Sequence, residues 1–222
     1  MIGAPSYLWS ILVPTIGERE ALFLRLMGVL LPQLDQQGGA VRVLAWKNNG
    51  YPPLGVIRDA LVRDADSEYV SFIDDDDLVP EDYVAEIVNA FTSRPAHVGF
   101  KIEYTTNGEG REVVDHSLRH GKWGRDASGQ LVRDFTHIDP VRQDIAALGT
   151  FIVPRKRAED RAWVRQVRPA LIGQPEVYID KIMYHYLWRE DTTAWRRQER
   201  LIPREGRPQV DSPHFAWHGS SS

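Results

Sequence analysis

The chain has 222 residues, 42% hydrophobic and 26% charged, the proportions of a globular protein long enough for one sizeable α/β domain. A formal net charge of −4 argues against a general nucleic-acid binder, and the absence of cysteine excludes disulfides and thiol chemistry. No stretch reaches the roughly 18 apolar residues of a membrane span, and the N-terminus lacks the basic region of a signal peptide, so a cytoplasmic location is the expectation.

Tyr7 to Val13 is a short apolar run that predicts a buried first strand. It breaks at Pro14, Thr15, Ile16, Gly17, Glu18, Arg19 and Glu20. Ala21 to Leu34 then carries Leu22, Leu26, Val29 and Leu30 at helical spacing. The loop between them lacks G-x-G-x-x-G, which argues against a dinucleotide fingerprint. Thr15 with Glu18 three residues on reads as a capping box. A Gly-rich turn over 36–40 precedes a second strand, Val41 to Trp46, which ends at the turn signal Lys47, Asn48, Asn49, Gly50. Gly55 to Arg63 predicts a second helix, on which Arg58 could pair with Asp59 or Asp64 at the surface.

Tyr69 to Ile73 reads as a third, central strand: aromatic and β-branched residues in an unbroken apolar run. It runs directly into Asp74, Asp75, Asp76 and Asp77. Pro80, Glu81 and Asp82 then open a helix carrying Val84, Ile87, Val88 and Phe91. Four adjacent carboxylates at the end of a buried strand repel one another, more steeply as the local dielectric falls. A cation would relieve that repulsion, and hard divalent ions take carboxylate oxygens together with substrate phosphates. The C-terminal edge of strands is also where open α/β sheets bind ligands. The plainer alternative is a solvated acidic turn in which Asp77 caps the next helix.

The segment Phe72 to Pro80 (Phe-Ile-Asp-Asp-Asp-Asp-Leu-Val-Pro) resembles the DXD segment of GT-A glycosyltransferases, especially those of family 2. The resemblance implies a Mn2+ or Mg2+ ion holding the diphosphate of a nucleotide-sugar, with Asp74 and Asp76 as the ends of the motif and Asp75 between them. It covers residues 1–104 well and 134–190 loosely. By the same resemblance Pro14, Thr15 and Glu18 would contact the nucleoside, Arg19 would approach phosphate, and Arg58 would face the donor. Where the family usually has an Asp to bind the base, this chain has Lys47, Asn48 and Asn49, and Asn48 is the substitute hydrogen-bonding group.

His97 to Tyr104 predicts a fourth strand and Thr105 to Gly110 a turn. Residues 111–131, punctuated by Gly121, Gly124 and Gly129 around Trp123, read as an excursion of hairpins or loop near the acceptor. His116 and His120 read as a solvated pair, since no third metal ligand accompanies them. His137, Asp139 and Arg142 resemble site-lining residues of some family 2-like enzymes; the alternative is a helix start with Asp139 as N-cap and Pro140 at the first position. Leu148 to Val153 predicts a strand in which Gly149 lets a ligand approach the backbone. Arg155 to Arg168 is an amphipathic helix burying Trp163 and Val167, with a basic polar face that is either solvated or a surface for an anionic acceptor or membrane.

Ile172 to Trp188 begins with a Gly173/Pro175 turn and becomes a helix of large apolar residues, opened by Asp180. In family 2 enzymes an acid at the start of such a helix is the catalytic base; Asp180 matches best and Glu176 second. The tail holds His214 and His218. The resemblance allows a late His to complete the metal site, with His218 as the candidate, against the alternative of a flexible tail.

These readings give one α/β domain over 1–222 of GT-A type: a mixed, mostly parallel sheet flanked by helices, with 1–104 as the nucleotide-sugar half and 105–222 as the acceptor half and tail. The implied function is metal-dependent, inverting glycosyl transfer from a nucleotide-diphosphate sugar to an acceptor hydroxyl. The acceptor could be a polysaccharide, a lipid-linked sugar, a protein or a modified nucleic-acid base. The alternatives are a nucleotidyltransferase or pyrophosphorylase of similar topology, whose Gly-rich basic loop is absent at 14–20, and a non-catalytic nucleotide-binding module.

Overall fold

The structure, a computed structural model, describes residues 4–48, 51–153, 159–188 and 214–218. The first half follows the order read from the sequence. Strand β1 (Tyr7–Ile16) leads through a 3-10 turn to helix α1 (Glu20–Asp35). Strand β2 (Val41–Asn48), helix α2 (Leu54–Asp64), strand β3 (Ser67–Phe72) and helix α3 (Tyr83–Ala90) follow. β1 lies between β2 and β3 and runs parallel to both. Both faces of this sheet are covered, which is why the strands read as continuous apolar runs. Trp9, Ile11 and Val13 pack with α1 and α3 on one side; Leu12, Leu44 and Phe72 pack with α2 residues on the other. That is the two-residue period of a strand sorting alternate side chains between two cores.

β1 is longer than expected and does not break at Pro14. Its pairing with β3 ends at Leu12, while its pairing with β2 continues to Ile16. A proline without an N–H is tolerated where a strand has lost one partner.

The second half is antiparallel at its joints. β4 (His97–Thr106) forms a hairpin with β5 (Glu109–His116). The short strands β6 (Gly124–Arg125) and β7 (Leu131–Arg133) extend the sheet beyond β5. β8 (Val141–Arg142) joins β3 to β4, and helices α4 (Gln143–Ala146) and α5 (Glu159–Leu171) cover it. The result is a mixed sheet flanked by helices, as expected.

Three expectations are corrected. Glu176–Trp188 is not a helix but a strand, β9, paired parallel with β4 over its whole length. Leu148 to Val153 is irregular: Asp59 accepts from the Phe151 N–H (2.6 Å) and the Thr150 hydroxyl (2.5 Å), doing for this backbone what a neighbouring strand would do. Gly149 there serves packing, since an added Cβ would lie 2.7 Å from both Trp163 and Val167. Within the tail, His214–His218 is a strand, β10, antiparallel to β2 at the sheet edge, with Trp217 against Phe23. Among the described residues no helix is long and apolar enough to cross a membrane.

Candidate active site

The four aspartates follow β3 at the edge where β1, β2 and β3 end, and they turn back so that the Asp77 N–H reaches the Asp74 carbonyl (3.1 Å). Their charge is met first by arginines. Arg58, only 3% exposed on α2, donates to Asp74 (2.8 Å) and to Glu159 at the start of α5 (3.1 Å). Arg19 lies 2.8 Å from Asp75 and 3.1 Å from Asp76. The Thr15 hydroxyl donates to Asp75 (2.7 Å), and Arg25 donates to the Asp76 carbonyl (3.0 Å).

Asp77 has a different role. It is 2% exposed and accepts from the Tyr184 hydroxyl (2.7 Å) and from the Leu187 N–H (2.8 Å), while the Asp74 N–H donates to the Tyr184 oxygen (3.2 Å). Two backbone bonds between Leu78 and His185 strengthen the junction. Asp77 therefore clips the end of β9 to the aspartate turn, and it caps no helix.

A cavity of about 170 Å3 opens at this point. The aspartates form its floor. Arg19, Arg58, Pro14 and Leu54 form one wall, and Tyr186, Leu187 and Trp188 the other. Arg19 and Arg58 are the guanidiniums that line the cavity beside the four carboxyl groups. Burial would raise the pKa of Asp74, but Arg58 and His137 outweigh it and hold the group well below the usual range. Asp76 goes the other way. Burial raises it to about 6 against the pull of Arg19, and Asp74 and Asp75 add to the rise. Such a carboxylate, crowded by Asp74 and Asp75 in the lining of a cavity, suits a cation. Among the described residues no three His, Asp or Glu side chains converge as a metal cage. A Mg2+-type site of one or two carboxylates completed by substrate phosphates does not need one.

The other residues named from the sequence divide. Pro14, Arg19, Arg58, Asp74, Asp75 and Asp76 line the cavity. Thr15 is not a helix cap; it is buried behind Asp75. Glu18 is exposed on the 3-10 turn and outside the cavity lining. Asn48, buried at the end of β2, donates to the Pro52 carbonyl (3.2 Å), and Lys47 pairs with Glu20. Asn49 lies outside the described residues. His137 packs against Phe72 and Phe151, with Nε2 3.9 Å from Asp74. Asp139, neither cap nor site residue, is buried 3.3 Å from His116, and Arg142 pairs with Asp144. His116 and His120 are no solvated pair: His116 is 3% exposed at the end of β5, and His120 lies 3.3 Å from Asp115.

The two proposed bases are not brought to the aspartates. Asp180 lies on a strand instead of opening a helix, with its side chain 74% exposed and ion-paired to Lys101. Glu176 begins β9 opposite His97, far along the strand from Tyr184 to Trp188. Its carboxylate takes hydrogen bonds from the Ser117 hydroxyl (2.9 Å) and the Leu118 N–H (3.0 Å) and sits 3.1 Å from His97. The His218 side chain lies outside what is described. Its backbone pairs with Arg42, level with Val70 and so four residues before Asp74. Arg25, Tyr184, Glu159 and the wall of Tyr186 to Trp188 were not found from sequence. No local spacing links them to the aspartates, and only the aromatic run of β9 marked the neighbourhood.

The sequence profile described as "Glycosyl transferase family 2" matches residues 30–146, just over half of the chain. The chain belongs to glycosyl transferase family 2. No curated protein sequence matches it. Among solved structures, Staphylococcus aureus TarS 1–349 superposes with a TM-score of 0.57 at 16% identity, over 81% of this chain and 60% of that one. Its complex with UDP-GlcNAc gives 0.56 at 16% identity over 82% and 59%, and its complex with UDP gives 0.56 at 16% identity over 86% and 64%. At that identity the likeness establishes the shared fold, and the chain spans about 60% of the length of TarS 1–349.

Proposed function

We propose that this family 2 chain transfers a glycosyl group from a nucleotide-diphosphate sugar to an acceptor hydroxyl, with Asp74 and Asp76 holding Mn2+ or Mg2+. The observation that carries the reading is the cavity at the strand ends, where four carboxylates meet two buried guanidiniums. The UDP-GlcNAc and UDP complexes of TarS favour a uridine-linked donor. Bound at Asp74 and Asp76, the ion would supply electrostatic stabilisation of the leaving diphosphate.

The protein's own groups prepare that site. Arg19 and Arg58 stand in the cavity as preorganised positive charge for phosphate oxygens, and guanidinium geometry suits a bidentate grip on them. Asp75 orients Arg19 and is itself oriented by Thr15. Asp77 holds the aromatic wall of β9 against the aspartate turn. Inversion of configuration needs a base near the acceptor hydroxyl; Asp180 and Glu176 lie along β9 away from the aspartates, so either would serve only an acceptor that reaches that part of the strand.

Calorimetry with UDP tests the reading. UDP is expected to bind in Mn2+ or Mg2+ and to lose most of its affinity in EDTA. Equal affinity in EDTA would remove the metal from the proposal, and no binding of any nucleoside diphosphate under either condition would remove the proposal itself.

A further inference from the structure

We propose that two copies of this chain associate through the outer face of helix α1, helix against helix and antiparallel about Gly28. A surface helix turns charged and polar residues to water and an apolar stripe to the core. α1 does not follow that pattern. Between Glu20 and Asp35 its single charged residue is Arg25, and that side chain is part-buried and donates to the Asp76 carbonyl (3.0 Å). The side toward the sheet buries Leu26, Met27, Leu30 and Leu34. The opposite side carries Ala21, Leu24, Gly28 and Pro32, all exposed, with Leu31 half-buried beside them. At about 100° per residue these five fall within roughly 100° of arc. Leu24 at their centre is 61% exposed. α1 is thus apolar on both sides, the composition of a helix that is covered on both.

Gly28 lies at the middle of the stripe and of the helix, eight residues after Glu20 and seven before Asp35. A Cβ added there meets nothing within 4 Å, so packing inside the chain does not call for glycine. Glycine weakens a helix interior, and what it supplies in return is close approach of another backbone. Two α1 helices meeting at Gly28 bring Leu24 of one copy opposite Pro32 of the other. The same surface serves both copies, so the contact closes at two.

Charge sets the direction. Asp35 is exposed at the C-terminal end of the stripe. At the N-terminal end Glu20 pairs with Lys47 (2.8 Å), with side chains 62% and 39% exposed. An antiparallel pair brings Lys47 of one copy to the end that carries Asp35 in the other, and it opposes the two helix dipoles. A parallel pair sets Asp35 against Asp35 and Lys47 against Lys47. A lipid surface is the poorer occupant: helices that lie on membranes carry Lys and Arg on a polar face, whereas this stripe ends in Glu20 and Asp35.

The test uses the whole chain, which has no cysteine, so a single introduced thiol reports proximity. Gly28→Cys is expected to cross-link two copies under mild oxidation, because the two-fold axis passes beside it. Asp35→Cys is expected not to. Seven residues on either side of the axis, at about 1.5 Å each, hold its two thiols about 21 Å apart, and a disulfide needs Cα atoms within about 7 Å. Sedimentation equilibrium of the unsubstituted chain is expected to show monomer and dimer. Leu24→Lys is expected to weaken the dimer at least about tenfold, since it buries an unpaired ammonium at the contact, while circular dichroism and a cooperative melt show the protein folded. A chain monomeric at every concentration, a dimer indifferent to Leu24→Lys, or cross-linking of Asp35→Cys in place of Gly28→Cys would overturn the proposal. So would a monomer that binds phosphatidylcholine vesicles and loses them with Leu24→Lys.

Discussion

Two clusters of buried acids sit in one sheet and have opposite characters. Asp74 to Asp77 stand at strand ends in the lining of a cavity, with Arg19 and Arg58 beside them. Asp139 and Glu176 stand inside the second half. Asp139 accepts from the Thr136 N–H and pairs with His116; Glu176 accepts from Ser117 and Leu118 and pairs with His97. Burial alone does not separate them, since Asp139 is 1% exposed and Asp75 and Asp77 are each 2% exposed. What separates them is their surroundings. Asp139 and Glu176 each meet an imidazole and a backbone N–H away from the cavity, where they hold strands and loops together. Asp74, Asp75 and Asp76 crowd one another in the lining of a cavity, where a cation can join them.

The sharpest way to break this comparison is at Asp139. Asp139→Ala strands His116 and the Thr136 N–H in the interior. Burial lowers the pKa of His116, so the loss is that of hydrogen bonds, about 1–3 kcal/mol for each buried group left unsatisfied. A urea denaturation midpoint that falls accordingly, with UDP affinity per folded molecule unchanged, is the expected result. An unchanged midpoint would mean that the second cluster is not structural.

Asp76→Asn makes the opposite change. It removes one charge from a crowded set whose members already raise one another's pKa, so folding stability should hold or rise. Metal-dependent UDP affinity should fall on the order of 100-fold, about 2.8 kcal/mol at 1.4 kcal/mol per tenfold. Calorimetry beside a thermal melt reads both. A stability loss with unaltered UDP binding would make the aspartates a structural cluster like the other.

The sequence carried the first cluster and hid the second for a physical reason. β1, β2, β3 and their helices are buried on both faces, so their apolar runs and helical spacings announce them locally, and the aspartates follow β3 in the chain. Arg19 and Arg58 were reachable through the resemblance to family 2, and both line the cavity. The partners of Asp77 lie 107 and 110 residues away, at Tyr184 and Leu187, and no local pattern encodes them. β9 was misread because Asp180 and Lys181 interrupt its alternation at a shift in its register with β4, and because 13 residues is long for a strand. Its Val, Ile and Tyr content was the signal for a strand. Leu148 to Val153 erred in reverse: Phe151 alone of its large apolar residues is buried, between Phe72 and Trp163, while Leu148 and Ile152 are exposed and Asp59 satisfies the backbone.

The smallest effect belongs to Asp180, and it sharpens the comparison by standing outside both clusters. Its side chain is 74% exposed and its partner Lys101 is itself part-exposed, a surface pair of the kind that contributes little to stability. It lies on β9 four residues before Tyr184, where the strand first touches the aspartate turn. A general base must reach the proton it takes, within about 2.6–3.2 Å or through one water, and at a strand rise of about 3.3 Å per residue those four residues amount to about 13 Å. Asp180→Asn is therefore expected to leave the melting temperature, UDP affinity and turnover of donor all unchanged. Turnover with each candidate acceptor is the measurement that decides. A fall of about 100-fold or more, the range lost with a general base, alongside intact UDP binding, would place Asp180 at the acceptor hydroxyl and require β9 to shift toward the cavity when the acceptor binds.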